Sequence, residues 1–316
     1  ARPRGRRPPD RRPTKDIHRM PRTPRGAITL AEEQPRSPRH RRLVAVLVVA
    51  VLVVTVTAAV LGVRHLRALV SGEQCLVTAN GSSFSWAPDQ ASNAAAITAI
   101  AVQREMPPRA ATIAIATAMQ ESKVRNVKFG DRDSLGLFQQ RPSQGWGTAE
   151  QILDPEYSTN KFYDALEKVK DYDSMDIARA AQAVQRSAAG EAYAQHEAQA
   201  RVTASVLSGQ THGGMACALE DPASPGDPGE VAALVEKDFG IAAKEGRSSV
   251  TVEAGSDDLA WAVGSWAVAR AADTGATRVV VGSREWRRGM QDSALEWHAV
   301  DAPEGADPTT VTIHLR

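Results

Sequence analysis

Glu121 is the side chain of this sequence best placed for acid–base chemistry. It follows a run of ten small or apolar uncharged residues, Ala110-Ala111-Thr112-Ile113-Ala114-Ile115-Ala116-Thr117-Ala118-Met119, and then Gln120. Such a run reads as a helix buried on most of its faces. A carboxylate at its end therefore stands where apolar core meets polar surface. Burial and the negative end of a helix both favour the uncharged form of a carboxyl group, the condition a general acid needs near neutral pH. Asp131 and Asp133 follow in a short polar stretch and are the candidates for a second carboxylate, with turn-forming or capping as their plainer role. They lack the alternating oxygen ligands and glycine of a calcium loop. His196 and His212 have no partner at ligand spacing, so no metal site is expected. No Cys/His pair or Gly-Lys-Ser loop points to nucleophilic or nucleotide chemistry, and no cofactor is expected.

The elements that must hold Glu121 are legible as caps and breakers. Ser92 is a helix cap for a segment carrying Ala95, Ile97, Ile100 and Ala101, which stops at Pro107-Pro108. Pro108 suits the first turn of the helix that ends near Glu121. Further helices are expected over 158–170, 176–187 and 190–208. Prolines and glycines mark 218–229 as a linker. Beyond it, over 230–316, helical segments alternate with strands near 248–253, 278–281, 295–298 and 310–314, a small α+β module of unassigned role. Trp261, Trp266, Trp286 and Trp297 belong to its core more readily than to a ligand platform. The basic run 284–288 reads equally as a contact for an anionic wall polymer and as a solvated strand edge.

Charge is distributed unevenly. Residues 1–42 hold thirteen Arg and one Lys against four Asp and Glu, a net of +10, so the remainder carries −9 of the overall +1. This segment cannot bury a core and is expected to be a disordered basic tail. Residues 43–63 are uncharged and rich in Val, Ala and Leu, the length and composition of a transmembrane helix across a hydrocarbon layer of ~30 Å. The basic tail would remain cytoplasmic, with a stalk over 64–90 and the rest outside the cell. The tail's charge fits anionic lipid better than nucleic acid, which is not expected as a partner. Cys75 and Cys217, the two cysteines of the chain, bracket the central region and are expected to form a disulfide there.

One resemblance joins these pieces. Glu121-Ser122, followed fifteen residues after the glutamate by Gly136-Leu137-Phe138-Gln139, resembles the Glu-Ser…Gly-Leu-Met-Gln signature of the soluble-lytic-transglycosylase-like branch of the lysozyme superfamily. Asp154-Pro155, with Phe162 and Leu166, is similar to the opening of that family's next helix. The resemblance implies a mainly α lysozyme-like domain over 91–217, preceded by the transmembrane helix and followed by the α+β module. It also implies that Glu121 is the single acid/base cleaving bonds between N-acetylmuramic acid and N-acetylglucosamine, leaving 1,6-anhydro ends. Ser122, Gly136, Gln139 and Gln140 would then bind or orient glycan. Trp146 reads equally as a surface for a sugar ring at the cleft rim and as packing under the loop. The sequence departs from the pattern in two places. Val184-Gln185 stands where the family has Tyr-Asn, leaving Gln185 and Tyr193 to take those roles, and Phe162 replaces a glycine.

The expected protein is thus a membrane-anchored enzyme acting on peptidoglycan glycan strands, its C-terminal module meeting cell-wall or division proteins. Two other readings stand beside it. One is a non-catalytic wall-binding scaffold that keeps the fold, the other a hydrolytic muramidase using Asp131 or Asp133 as second carboxylate.

Overall fold

The computed structural model describes residues 46–53, 55, 72–185, 190–301 and 307–316. The chain divides into two compact units, 1–62 and 63–316. In the first, helix α1 covers residues 46–53, all exposed. Among the described residues no helix is long and apolar enough to cross a membrane. This corrects the expected transmembrane helix over 43–63, and with it the membrane as a partner and the single-pass, cytoplasm-to-exterior topology. An apolar composition states only that a segment is costly to hydrate. A span needs about 20 residues of continuous apolar helix, and no helix among the described residues reaches that. Residues 43–45, 54 and 56–63, the basic segment 1–42 and residues 64–71 of the expected stalk lie outside the described residues.

The second unit opens on a hairpin where the end of the stalk was expected. Strand β1 (Gln74–Ala79) pairs antiparallel with β2 (Ser82–Trp86), from Cys75 opposite Trp86 to Ala79 opposite Ser82. Asn80 and Gly81 both have positive φ, 51° and 75°. That is the two-residue turn whose twist matches the flanking strands, and Asn-Gly is its strongest sequence signal. Alternation along β1 buries Cys75, Val77 and Ala79. Far along the chain, β3 (Met215–Ala218) pairs with the other edge of β1, giving the order β2-β1-β3. Cys75 and Cys217 face each other across that ladder and are disulfide-bonded.

Between β2 and β3 lie the helices α2 (Pro88–Gln103), α3 (Pro108–Ser122), α4 (Ala149–Ile152), α5 (Pro155–Leu166), α6 (Ile177–Gln185) and α7 (Glu197–Leu207). α2 starts at Pro88, ahead of the expected Ser92 cap, and the Ser92 hydroxyl instead donates to Asp273. α3 is enclosed by α2, α5, α6 and α7, which is why every residue from Ala110 to Ala118 is buried.

Then come α8 (Pro228–Phe239), β4 (Ala243–Glu245), β5 (Ser249–Glu253), α9 (Asp257–Ala269), α10 (Ala271–Thr274), β6 (Ala276–Val281), β7 (Arg284–Arg287), β8 (His298–Ala299) and β9 (Thr310–Leu315). The strands form an antiparallel sheet in the order β4-β5-β9-β6-β7-β8. The segment expected as a strand from 295 is first a 3-10 turn, Asp292–Leu295, and only then β8. α9 covers the face carrying Val250, Val279, Val281, Val311 and Ile313, and α2 packs on α8 and α9. Trp286 and Trp297 are buried, and their ring N–H groups donate to the Cys217 and Met215 carbonyls, tying β3 to this region. Helices and both sheets therefore share one apolar core. The fold class is mixed α/β, correcting the expected mainly α lysozyme-like domain behind a membrane helix. Three strands frame the helices because the Asn80-Gly81 turn and the β1–β3 pairing draw both ends of the helical region into a sheet.

Candidate functional site

The site is built on the end of α3. Lys123 and Val124 both lie in the left-handed region, φ 57° and 56°, a conformation costing roughly 1–2 kcal/mol for each non-glycine residue. Val124 is fully buried, and its N–H donates to the Ala118 carbonyl at 2.9 Å. Two side chains of α2 hold the bend from outside. Gln90 Nε2 donates to the Lys123 carbonyl at 2.8 Å and Asn93 Nδ2 to that of Val124 at 2.9 Å. The chain therefore reverses directly after Glu121-Ser122 and returns over the helix end. Gln90 and Asn93 carried no sequence signal, because they act on backbone carbonyls some thirty residues away.

Glu121, half-buried, accepts a hydrogen bond on Oε1 from the Tyr193 hydroxyl at 2.6 Å. Tyr193 is wholly buried on the 3-10 turn Gly190–His196, which packs on α3. One turn along the same segment, His196 Nε2 lies 3.1 Å from Gln120 Oε1, which also accepts from Gln195 Nε2 at 3.2 Å. Burial pushes the His196 imidazole below its usual range. Ser122 turns away from Glu121: its hydroxyl donates to the Leu137 carbonyl at 2.7 Å and accepts from the Arg125 N–H at 3.2 Å. It anchors the returning loop.

That loop ends in a tight turn closed by mutual backbone bonds between Leu135 and Gln140, at 2.9 and 3.0 Å. Gly136 is buried with φ 77°, and a Cβ there would stand 2.7 Å from the Ile152 carbonyl oxygen of α4. The glycine is required by packing on α4. Gln139, itself at φ 49°, folds its amide onto the carbonyls of Phe129 and Gly136, both at 3.3 Å. The Gln140 amide is buried and donates to the Ser158 carbonyl at 3.0 Å. Phe138 stacks on Phe162 with ring centroids 4.6 Å apart, the two large rings filling the space together. Gln185 Nε2 donates to the Phe138 carbonyl at 2.6 Å.

The two aspartates differ sharply. Asp133 accepts from the Ser143 hydroxyl at 3.0 Å, the Ser143 N–H at 2.8 Å and Arg141 Nε at 2.7 Å. Ser143 first, and then Arg141, hold its carboxyl well below the usual carboxylate range. It fastens the 3-10 turn Pro142–Gln144. Asp131 is almost fully exposed and lies 3.9 Å from Arg132. Trp146, half-buried, lines a cleft of about 620 Å³ together with Gln185, Val184, Lys168 and Gln144. His212 lies 3.2 Å from Asp258 and stacks on Trp261, remote from this set in sequence. Among the described residues no group of three His, Cys, Asp or Glu side chains is arranged to hold a metal.

Glu121, Tyr193, Ser122, Gln185 and the 135–140 turn are thus linked by hydrogen bonds around one helix end. No family model matches the chain, and no curated protein matches it in sequence. The resemblance to the lytic transglycosylases is therefore corrected: the chain is not assigned to that family, nor is the wall-polymer partner that the assignment carried. The resemblance rested on a few residues at a helix end and at one tight turn. Local rules of capping and turn geometry favour such residues in unrelated folds.

Proposed function

We propose that Glu121 is the single acid/base of a glycan-cleaving site. The observation that carries this reading is the 2.6 Å hydrogen bond from the Tyr193 hydroxyl to Glu121 Oε1. A buried donor fixes the carboxyl group in one orientation and leaves its other oxygen to exchange a proton with a substrate. In the first step the protonated Glu121 gives its proton to the glycosidic oxygen as the bond from that oxygen to the sugar C1 breaks. In the second, the Glu121 carboxylate takes the proton of the same sugar's C6 hydroxyl as that oxygen bonds to C1. The product is a 1,6-anhydro ring, no water is consumed, and Glu121 ends protonated as it began. Tyr193 steadies the carboxylate between the two steps.

One carboxylate suffices for this cycle, whereas hydrolysis ordinarily uses a pair. The engagement of Asp133 with Ser143 and Arg141 favours the single-carboxylate form over hydrolysis. A glycan with a free C6 hydroxyl beside each cleavable bond is the substrate to try. Purified protein with its disulfide intact is expected to release fragments lighter by one water than hydrolytic ones. Glu121→Gln is expected to lower release by at least about a thousandfold. Equal release by that variant would refute the assignment of Glu121. Reducing ends in place of anhydro ends would refute the single-carboxylate cycle. Tight binding with no release would leave a glycan-binding scaffold instead.

A further inference from the structure

We infer that two adjoining clefts at the start of α3 form one site for a short peptide with free ends, its carboxylate taken by Arg109 and Arg201 and its ammonium group by Glu105 and Asp258. Pro108 opens α3 and Glu121 closes it. The site is therefore roughly 20 Å from the acid at ~1.5 Å per residue, and it stands apart from the glycan-cleaving reading.

The joint between α2 and α3 shapes both clefts. Pro107 and Pro108 stiffen the backbone there, and Glu105, at φ 55°, turns the chain just before them. The turn is held by the Glu105 N–H on the Val102 carbonyl, at 3.0 Å, and the Met106 N–H on that of Ala101, at 2.9 Å. Glu105 and Arg109 thus flank one stiff joint with opposite charge, and each lines a different cleft. Arg109 and Arg201 line a cleft of about 330 Å³. Glu105 and Asp258 line one of about 260 Å³. Pro108 and Gln210 border both, so the clefts meet across them. Together they reach the range of ~300–1,000 Å³ usual for small-ligand sites. Asp258 belongs to the second because Gly209 lets the end of α7 approach the start of α9. A Cβ at Gly209 would overlap the Asp258 carbonyl oxygen.

These groups select the ligand. Arg109 donates to the Met175 carbonyl, which holds its guanidinium in place, yet its Nε is buried with no hydrogen-bond partner among the described residues. A buried donor left unpaired is costly, and a carboxylate is the acceptor that best matches a guanidinium. Arg201 and Asp258 have surface partners, Glu197 and His212, and exposed pairs of this kind are weak enough to exchange for a ligand group. A molecule spanning both clefts must carry a negative end and a positive end, since the reverse placement or a single sign meets repulsion. Between the charges, Gln210 offers an amide that both donates and accepts, as a peptide backbone requires. Val202 in one cleft and Val102, Met106 and Ala111 in the other supply apolar wall for small side chains. Three extended residues span about 10 Å.

The test uses the full chain with its disulfide intact and isothermal titration with four forms of trialanine: free at both ends, N-acetylated, C-amidated, and blocked at both. The free peptide is expected to bind tightest. Each block is expected to weaken binding about fivefold at low salt, the scale of one exposed ion pair, and the differences to shrink at high salt. The double variant Arg109→Gln, Arg201→Gln is expected to erase the preference for a free carboxylate and keep that for a free ammonium group. The double variant Glu105→Gln, Asp258→Asn is expected to do the reverse. A general loss of structure cannot produce that crossed pattern. Equal affinity for the four peptides, no binding of any, or sensitivity to one end alone would overturn the inference. So would a preference that survives its variant. The four-peptide comparison on the wild type needs no variant, so the inference can fail even where a variant does not fold.

Discussion

A tyrosine hydroxyl 2.6 Å from a carboxylate oxygen restricts the rotation of the carboxyl group. Tyr193 is fully buried, so its ring position is set by packing and does not follow Glu121 as a surface side chain would. Removing the hydroxyl while keeping the ring isolates this effect. Tyr193→Phe is expected to lower kcat for glycan release about 10- to 100-fold, the equivalent of about 1.5–3 kcal/mol for a hydrogen bond to a charged group, with KM little changed. Steady-state kinetics on soluble glycan, with circular dichroism to verify folding, checks it. An unchanged kcat would show that the contact does not orient the acid. At the same scale, Asp133 serves geometry: its three bonds to Ser143 and Arg141 shape the turn leading to Trp146.

Two short elements convert a buried helix into a site. The first is the left-handed pair Lys123-Val124, clamped by Gln90 and Asn93, which stops α3 at Ser122. The second is the 135–140 turn, whose Gly136 admits the backbone of α4 at close range. A side chain at Gly136 meets both a positive φ and the Ile152 carbonyl, and backbone cannot retreat as a flexible side chain can. Gly136→Ala is expected to destabilise the protein by about 2–4 kcal/mol, as strain and overpacking in a buried turn do. Urea unfolding monitored by fluorescence measures it, and a loss under about 0.5 kcal/mol would mean the turn moves aside freely. Because Leu137 and Phe138 carry the carbonyls bound by Ser122 and Gln185, the same variant should also disturb the site.

Across residues 72–316 the helices and both sheets share one core, and a disulfide joins strands separated by 142 residues of chain. Every helix around Glu121 lies within that covalent loop. In the chain-entropy picture, opening a loop of this length releases the unfolded ensemble by about 3–5 kcal/mol. The double variant Cys75→Ser, Cys217→Ser is therefore expected to lose about that much stability against denaturant. Equal midpoints for the variant and the oxidised protein would show that β1–β3 pairing holds without the bond. The tie from Trp286 and Trp297 to the carbonyls of β3 makes that outcome a real alternative, since these bonds survive reduction.

What the sequence determined by itself is local. The uncharged run 110–119 and Pro108 define α3 and its burial, and Gly136 marks a turn, because periodicity, breakers and turn residues act within a few positions. Asn80-Gly81 lies in a segment expected as a stalk, and only the pairing of β1 with β2 and with β3, far away in sequence, made it the turn of a sheet beneath the helices. The contact of Tyr193 with Glu121, the clamp of Gln90 and Asn93 and the joining of Trp146, Lys168 and Gln185 in one cleft were decided by tertiary structure alone. Such contacts depend on which faces pack together, and composition carries no record of that choice. The apolar run 43–63 shows the converse: its hydropathy was plain, but hydropathy states only the cost of hydration, and among the described residues no helix is long and apolar enough to cross a membrane.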